Sequence, residues 1–193
     1  MLSVIKGGYN SGALELLATL AKSDIDAGKK VICGGCEEFA FDGYEVFDME
    51  YFMSEVTEYD FSNITFVFNE VYHLFDSRIS TVRLDKLFTS LIASSQAGLL
   101  NFYIKGGYED RIVTKLRNSL DNTIECLSLS TDLIRTTIND RRRLQDIDGV
   151  LKPLSFQKLI KFDNPDSLVK NSHLGESVIP LLNAKDLSSL YQL

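Results

Sequence analysis

The chain has 193 residues, 45% of them hydrophobic and 24% charged, with a formal net charge of −7. This is the composition of an ordinary globular domain, and no apolar run reaches the about 18 residues a membrane helix needs. Three cysteines, Cys33, Cys36 and Cys126, do not make a disulfide framework and fit a reducing compartment.

The N-terminus lacks the basic and long apolar regions of a secretion signal, so an intracellular protein, or one assembled inside a cell, is expected. The charge is uneven. Residues 1–110 hold 8 Lys and Arg against 17 Asp and Glu, a net of −9. Residues 111–161 hold 10 against 6, a net of +4, and are the part that could meet a polyanion.

In chain order, Leu2 to Lys6 reads as a short buried strand ending in Gly7-Gly8. A helix follows over Ser11 to Ala27, its apolar residues at helical spacing, with Gly28 placed for a C-terminal cap. Lys30 to Cys33 is a second strand, and Tyr44 to Phe47 a short third. Asp48 to Val56 fits a brief helix. Ile64 to Phe68 is the clearest strand, bounded by Asn63 and Asn69.

A helix is expected over Thr81 to Ser95 and a strand over Leu99 to Ile104, which runs into Lys105-Gly106-Gly107. A short helix at Glu109 to Asn118 leads to a strand at Thr123 to Leu129. Strands separated by helices of this length predict βαβ units: an α/β fold with a mainly parallel sheet. This domain is expected to span residues 1–130. Residues 131–193 read as a hairpin turning at Asn139-Asp140, an irregular arm, and a closing helix over Ala184 to Tyr191. The pentapeptide IKGGY occurs at 5–9 and 104–108. It marks two similar strand-to-helix turns, because the flanks do not match.

A phosphate-binding loop follows the pattern G-x-x-x-x-G-K-[S/T]. Its glycines let backbone N–H groups turn onto phosphates, its lysine neutralises them, and its hydroxyl reaches Mg²⁺. Gly7, Gly8, Tyr9, Asn10, Ser11 and Gly12 supply the glycine spacing between a strand and a helix. Ala13 stands where the lysine belongs and Leu14 where the hydroxyl belongs. Tyr9 either fills the phosphate space or packs on the helix.

The strand Ile64 to Phe68 ends in Asn69-Glu70. In P-loop ATPases the corresponding pair is Asp-Glu, the Asp for the metal and the Glu for the attacking water. Glu70 is therefore the catalytic candidate if the protein is active, and Asn69 a vestigial metal position, since an amide brings no charge to Mg²⁺.

The stretch FVFNEVYHLFDSR, Phe66 to Arg78, resembles the second ATPase motif of viral genome-packaging ATPases and the zonular-occludens-toxin family, in the FtsK–HerA-type group. Glu70, Asp76, Ser77 and Arg78 match; Asn69 departs. The resemblance extends to about residue 130, with Arg117 and Asp121 in fitting places. The family's Arg-Lys element after the helix and its polar sensor after the next strand have no counterpart. The resemblance implies a P-loop NTPase-like domain that has lost hydrolysis, acting in viral or phage genome packaging or virion assembly. It implies protein subunits of a virion or packaging machine as partners, an oligomeric state, and a place in the host cytoplasm during assembly, with incorporation into the virion. No cofactor is expected. ATP and Mg²⁺ enter only under the alternative, a weak ATPase or DNA translocase subunit completed by residues in trans.

Arg117, Arg141, Arg142 and Arg143 are the candidates for a DNA contact; a triplet such as Arg141–Arg143 is also an ordinary solvated turn. His73 lies close to the Glu70 motif, though a histidine there is more often simply exposed. Cys33-Gly-Gly-Cys36 raises a third reading, a small redox protein. Against it, Glu37-Glu38 would raise the thiol pKa, and a zinc site would lack grouped ligands.

Overall fold

The computed structural model describes residues 1–48, 63–69, 81–106 and 120–175. Eight strands form one sheet: β1 (Leu2–Lys6), β2 (Lys30–Gly34), β3 (Glu45–Val46), β4 (Ile64–Asn69), β5 (Leu100–Lys105), β6 (Asn122–Ser128), β7 (Leu133–Ile147) and β8 (Val150–Lys161). Two helices are described, α1 (Ala13–Asp26) and α2 (Thr81–Gln96). The strand order is β3-β2-β4-β5-β1-β6-β7-β8. Strands β3 to β6 of that order run parallel, and β7 and β8 are antiparallel additions. This is an α/β fold with a mainly parallel sheet, in which β5 lies between β4 and β1, the strand that precedes the glycine-rich loop.

The parallel strands are near-continuous apolar runs because both sheet faces are covered. On one face, Leu17, Ala18 and Ala21 of α1 are fully buried and pack with Ile5, Val31, Val67 and Ile134. Alternation sends Phe66, Phe68 and Phe102 to the other face, where their ring centroids lie 5.4 to 6.5 Å apart.

A polar tie fixes α1 on the sheet. The Asp24 carboxylate accepts from Thr65 Oγ1 at 2.6 Å, Lys29 Nζ at 2.8 Å and Asn101 Nδ2 at 3.0 Å. Burial pushes this carboxyl up, and the hydrogen bonds from Lys29, Thr65 and Asn101 outweigh it, so its pKa lies below the ordinary carboxylate value. A pKa lower in the folded than in the unfolded chain stabilises above the unfolded value of about 3.9 and is lost as pH falls through the folded value. Asp24→Asn is therefore expected to cost about 1–3 kcal/mol at pH 7. In urea melts its gap from the wild type should narrow below about pH 4; a gap independent of pH would refute the tie.

The hairpin is not where the sequence predicts it. Asn139-Asp140 lies inside β7, and the turn is at Asp148-Gly149, both with positive φ (54° and 77°). An Asp-Gly pair meets the left-handed requirement of a two-residue hairpin turn, which Asn-Asp meets less well. Arg141–Arg143 fall at an irregularity of the β7–β8 ladder between Asp140 and Leu144. Both strands continue the main sheet across residue 130, so the change to irregular chain comes at Phe162. The remaining strands and the helix at 81–96 agree with the sequence to within two residues. The helices expected at 48–56, 109–118 and 184–191 lie outside the described residues. No described helix is long and apolar enough to cross a membrane.

Candidate functional site

Strand register brings three chain positions to one edge of the sheet. Asn69 pairs with Lys105, and Ile5 pairs with Lys105 on the other side. The loop leaving β1, the end of β4 and the end of β5 therefore meet at the carboxyl ends of the parallel strands, where open α/β sheets bind ligands. A cavity of about 560 Å³ lies there, with the loop from Gly8 to Gly12 along one wall.

The loop is held mainly by its own groups. The Ser11 amide donates to the Gly8 carbonyl at 3.2 Å, and the Ala13 amide donates to Ser11 Oγ at 3.3 Å. Two of the N–H groups that could face an anion are thus already used. Gly12 is left-handed (φ 84°). A Cβ there would lie 2.3 Å from Ile134 Cγ2 and 2.9 Å from Leu174 Cδ1, so only glycine fits. Ala13 is 1% exposed, and Leu14 packs partly buried against the core. The positions of the absent lysine and hydroxyl carry packing side chains. Tyr9 is among the residues lining the cavity, 82% exposed, with its ring 6.0 Å from that of His173.

Asn69 lines the cavity, and its Oδ1 accepts from Lys105 Nζ at 3.1 Å. An ammonium group thus sits against the side chain expected to mark a vestigial metal position. A Mg²⁺ ion there would meet a cation and a neutral amide, so these residues do not fit the metal. Among the described residues, no group of three or more His, Cys, Asp or Glu is placed to hold a metal ion.

Residues 162–175 form a strap that returns over the loop. The Ala40 amide donates to the Leu168 carbonyl at 3.0 Å, the Lys170 amide to the Glu38 carbonyl at 2.7 Å, and Ser172 Oγ to Glu15 Oε1 at 2.6 Å. Phe162, Val169 and Leu174 are buried beneath it. The strap adds Lys170, Asn171 and His173 to the cavity wall, which also holds the carboxylates Glu15, Glu37 and Glu38. The mixed charge is a poor match for a triphosphate, which needs a surplus of cations.

Lys105 and the strap are not legible as site residues in the sequence. The repeat of IKGGY is the available signal for Lys105, because it marks the ends of two strands that prove to be neighbours. Arg141, Arg142 and Arg143 sit on the hairpin, and none lines the cavity. Arg142 is held by Asp121 and Arg143 by Asp140, at 2.7 and 3.4 Å. Glu70, His73, Asp76, Ser77, Arg78 and Arg117 lie outside the described residues.

Cys33 and Cys36 are both buried. The Cys36 thiol donates to the Gly34 carbonyl at 3.4 Å. The hydrogen bond with Cys36, together with burial, pushes the Cys33 thiol far up. A neutral, enclosed thiol is a poor redox nucleophile.

No family model matches the chain, and no curated protein matches it. Among solved structures, the ATPase domain of another protein is similar over 79% of this chain and 79% of its own length, at 12% identity and a TM-score of 0.49.

Proposed function

We propose that this chain is a non-hydrolysing P-loop ATPase-like protein that acts in viral or phage genome packaging or virion assembly by binding other proteins. The observation that carries the loss of hydrolysis is the pairing of Lys105 with Asn69. With Ala13 and Leu14 packed inward, it leaves neither a lysine on the phosphates nor a carboxylate for the metal. Each missing charge contact on a transferring phosphoryl group costs roughly 10²-fold or more in rate. The packaging role is supported by the order of Glu70, Asp76, Ser77 and Arg78 after the motif strand. The DNA contact proposed for Arg117 and Arg141–Arg143 is weakened by the ion pairs of Arg142 and Arg143.

A second reading, a weak ATPase completed in trans, is favoured by Lys105 and Lys170 in the cavity wall, which keep some positive charge at the loop. Calorimetric titration with MgATP separates the two. The pseudo-ATPase is expected to show no binding tighter than about 1 mM and no turnover above background. Turnover that is abolished by Glu70→Gln in a folded variant would favour the enzyme.

A further inference from the structure

The two margins of the sheet carry opposite charge. Among the described residues β8 is a terminal strand, and it contains three lysines, Lys152, Lys158 and Lys161, all exposed, and no acid; Lys161 reaches Asp132 at 3.6 Å. The opposite margin, residues 31–48 with β3 at its edge, contains no Lys or Arg. It carries five exposed carboxylates: Glu37, Glu38, Asp42, Glu45 and Asp48. Lys30 reaches Glu45 at 2.9 Å and Lys170 reaches the Glu37 carbonyl at 3.0 Å, and the five carboxylates outnumber these two cations. Each margin also exposes large apolar side chains: Leu151 (66%) and Leu159 (59%) on β8, Val46 (76%) on β3.

We infer that these margins meet head to tail: β8 of one copy docks on the 37–48 margin of a second copy. The charges are complementary, which steers encounter and fixes orientation. Apolar side chains inside a charged rim are the composition of a protein–protein contact. The lysines oppose the isologous alternative, because two β8 edges would bring six ammonium groups together. A contact between different surfaces is heterologous and builds a ring or an open filament. A nucleic acid is the poorer occupant of the hairpin. Asp121 and Asp140 already hold Arg142 and Arg143, and the tip carries Asp146 and Asp148 beside Ile147 and Val150. The inference holds whether or not the loop takes nucleotide.

Sedimentation equilibrium of the full chain tests it. Self-association is expected, weakening at least about tenfold as salt rises from about 0.05 M to about 0.5 M, where the Debye length is about 4 Å. A variant with Lys152→Glu, Lys158→Glu and Lys161→Glu should be monomeric. So should one with Asp42→Lys, Glu45→Lys and Asp48→Lys. Mixed in equal amounts, the two should associate, because every contact between unlike copies is again complementary. Should a triple variant fail to fold, Lys152→Gln with Lys158→Gln should still weaken association. A chain that stays monomeric at every concentration and salt would overturn the inference. So would association that survives charge reversal, or a monomer whose β8 variant loses only binding to duplex DNA.

Discussion

Asp121→Ala is expected to lower Tm by about 6–12 °C, the equivalent of roughly 3 kcal/mol in a chain of this size. Asp121 precedes β6 and joins three parts of the sheet. Its Oδ2 accepts from the Leu2 amide at 2.7 Å and from Arg142 Nη2 at 2.9 Å, and its Oδ1 accepts from Arg142 Nε at 2.7 Å. Its own amide donates to the Leu2 carbonyl and its carbonyl accepts from the Arg141 amide. Leu2 is 3% exposed, so truncation leaves a buried N–H without an acceptor, and that is the larger part of the cost. Arg142 is half-exposed and can be rehydrated, so its lost partner costs less. Arg142→Ala should therefore shift Tm by only about a third as much. Asp121→Asn, which keeps an acceptor, should fall between the two. Thermal melts of the three variants check the order; an Asp121→Ala protein as stable as the wild type would mean that the β1–β6 edge is held by its ladder alone.

That clamp shows what the sequence can and cannot supply. Asp121 stands at a motif position, but its partner Arg142 reads from the sequence as a phosphate contact. Only the antiparallel return of β7 along β6 brings them together. The parallel strands are legible because both of their faces are buried, which leaves uninterrupted runs such as ITFVF. β7 is not, because beyond β6 it is solvent-facing, and polar Asn139-Asp140 there costs a strand little. The loop is legible by its glycine spacing. The lysine beside the cavity is not, since Lys105 comes to the cavity wall only through the order that places β5 between β1 and β4. The strap is the least legible part. Phe162, Leu168, Val169 and Leu174 are four apolar residues in a polar stretch of fourteen, without helical or strand periodicity.

The strap also offers the test that separates a covered loop from a disabled one. Leu174 is 2% exposed and lies against the bare Gly12 backbone. Leu174→Asp places a carboxylate there with no cation described against it, at a cost of several kcal/mol. Outside the strap, the described hydrogen bonds of residues 168–175 go to Ala40, Glu38, Glu37, Glu15 and Asn10 and not to β1, β4 or β5, although Val169 and Leu174 also pack in the core with α1 and Ile134, so the strap should detach before the sheet unfolds. Amide exchange at Ala40, Lys170 and Gly175 should accelerate by about 10²-fold or more, with the β1, β4 and β5 amides unchanged. If the whole chain loosens instead, Leu174→Ala gives the milder cavity at about 2–3 kcal/mol, and the same three amides should lead the change. Unaltered exchange in both variants would show that the strap does not depend on this side chain. With the strap released, the loop is open to solvent, and MgATP is still expected not to bind. Ala13 stays buried, Leu14 stays packed against the core, and Lys105 keeps its bond to Asn69. Binding that appears only on release would mean that the strap, and not the missing lysine, is what silences the loop.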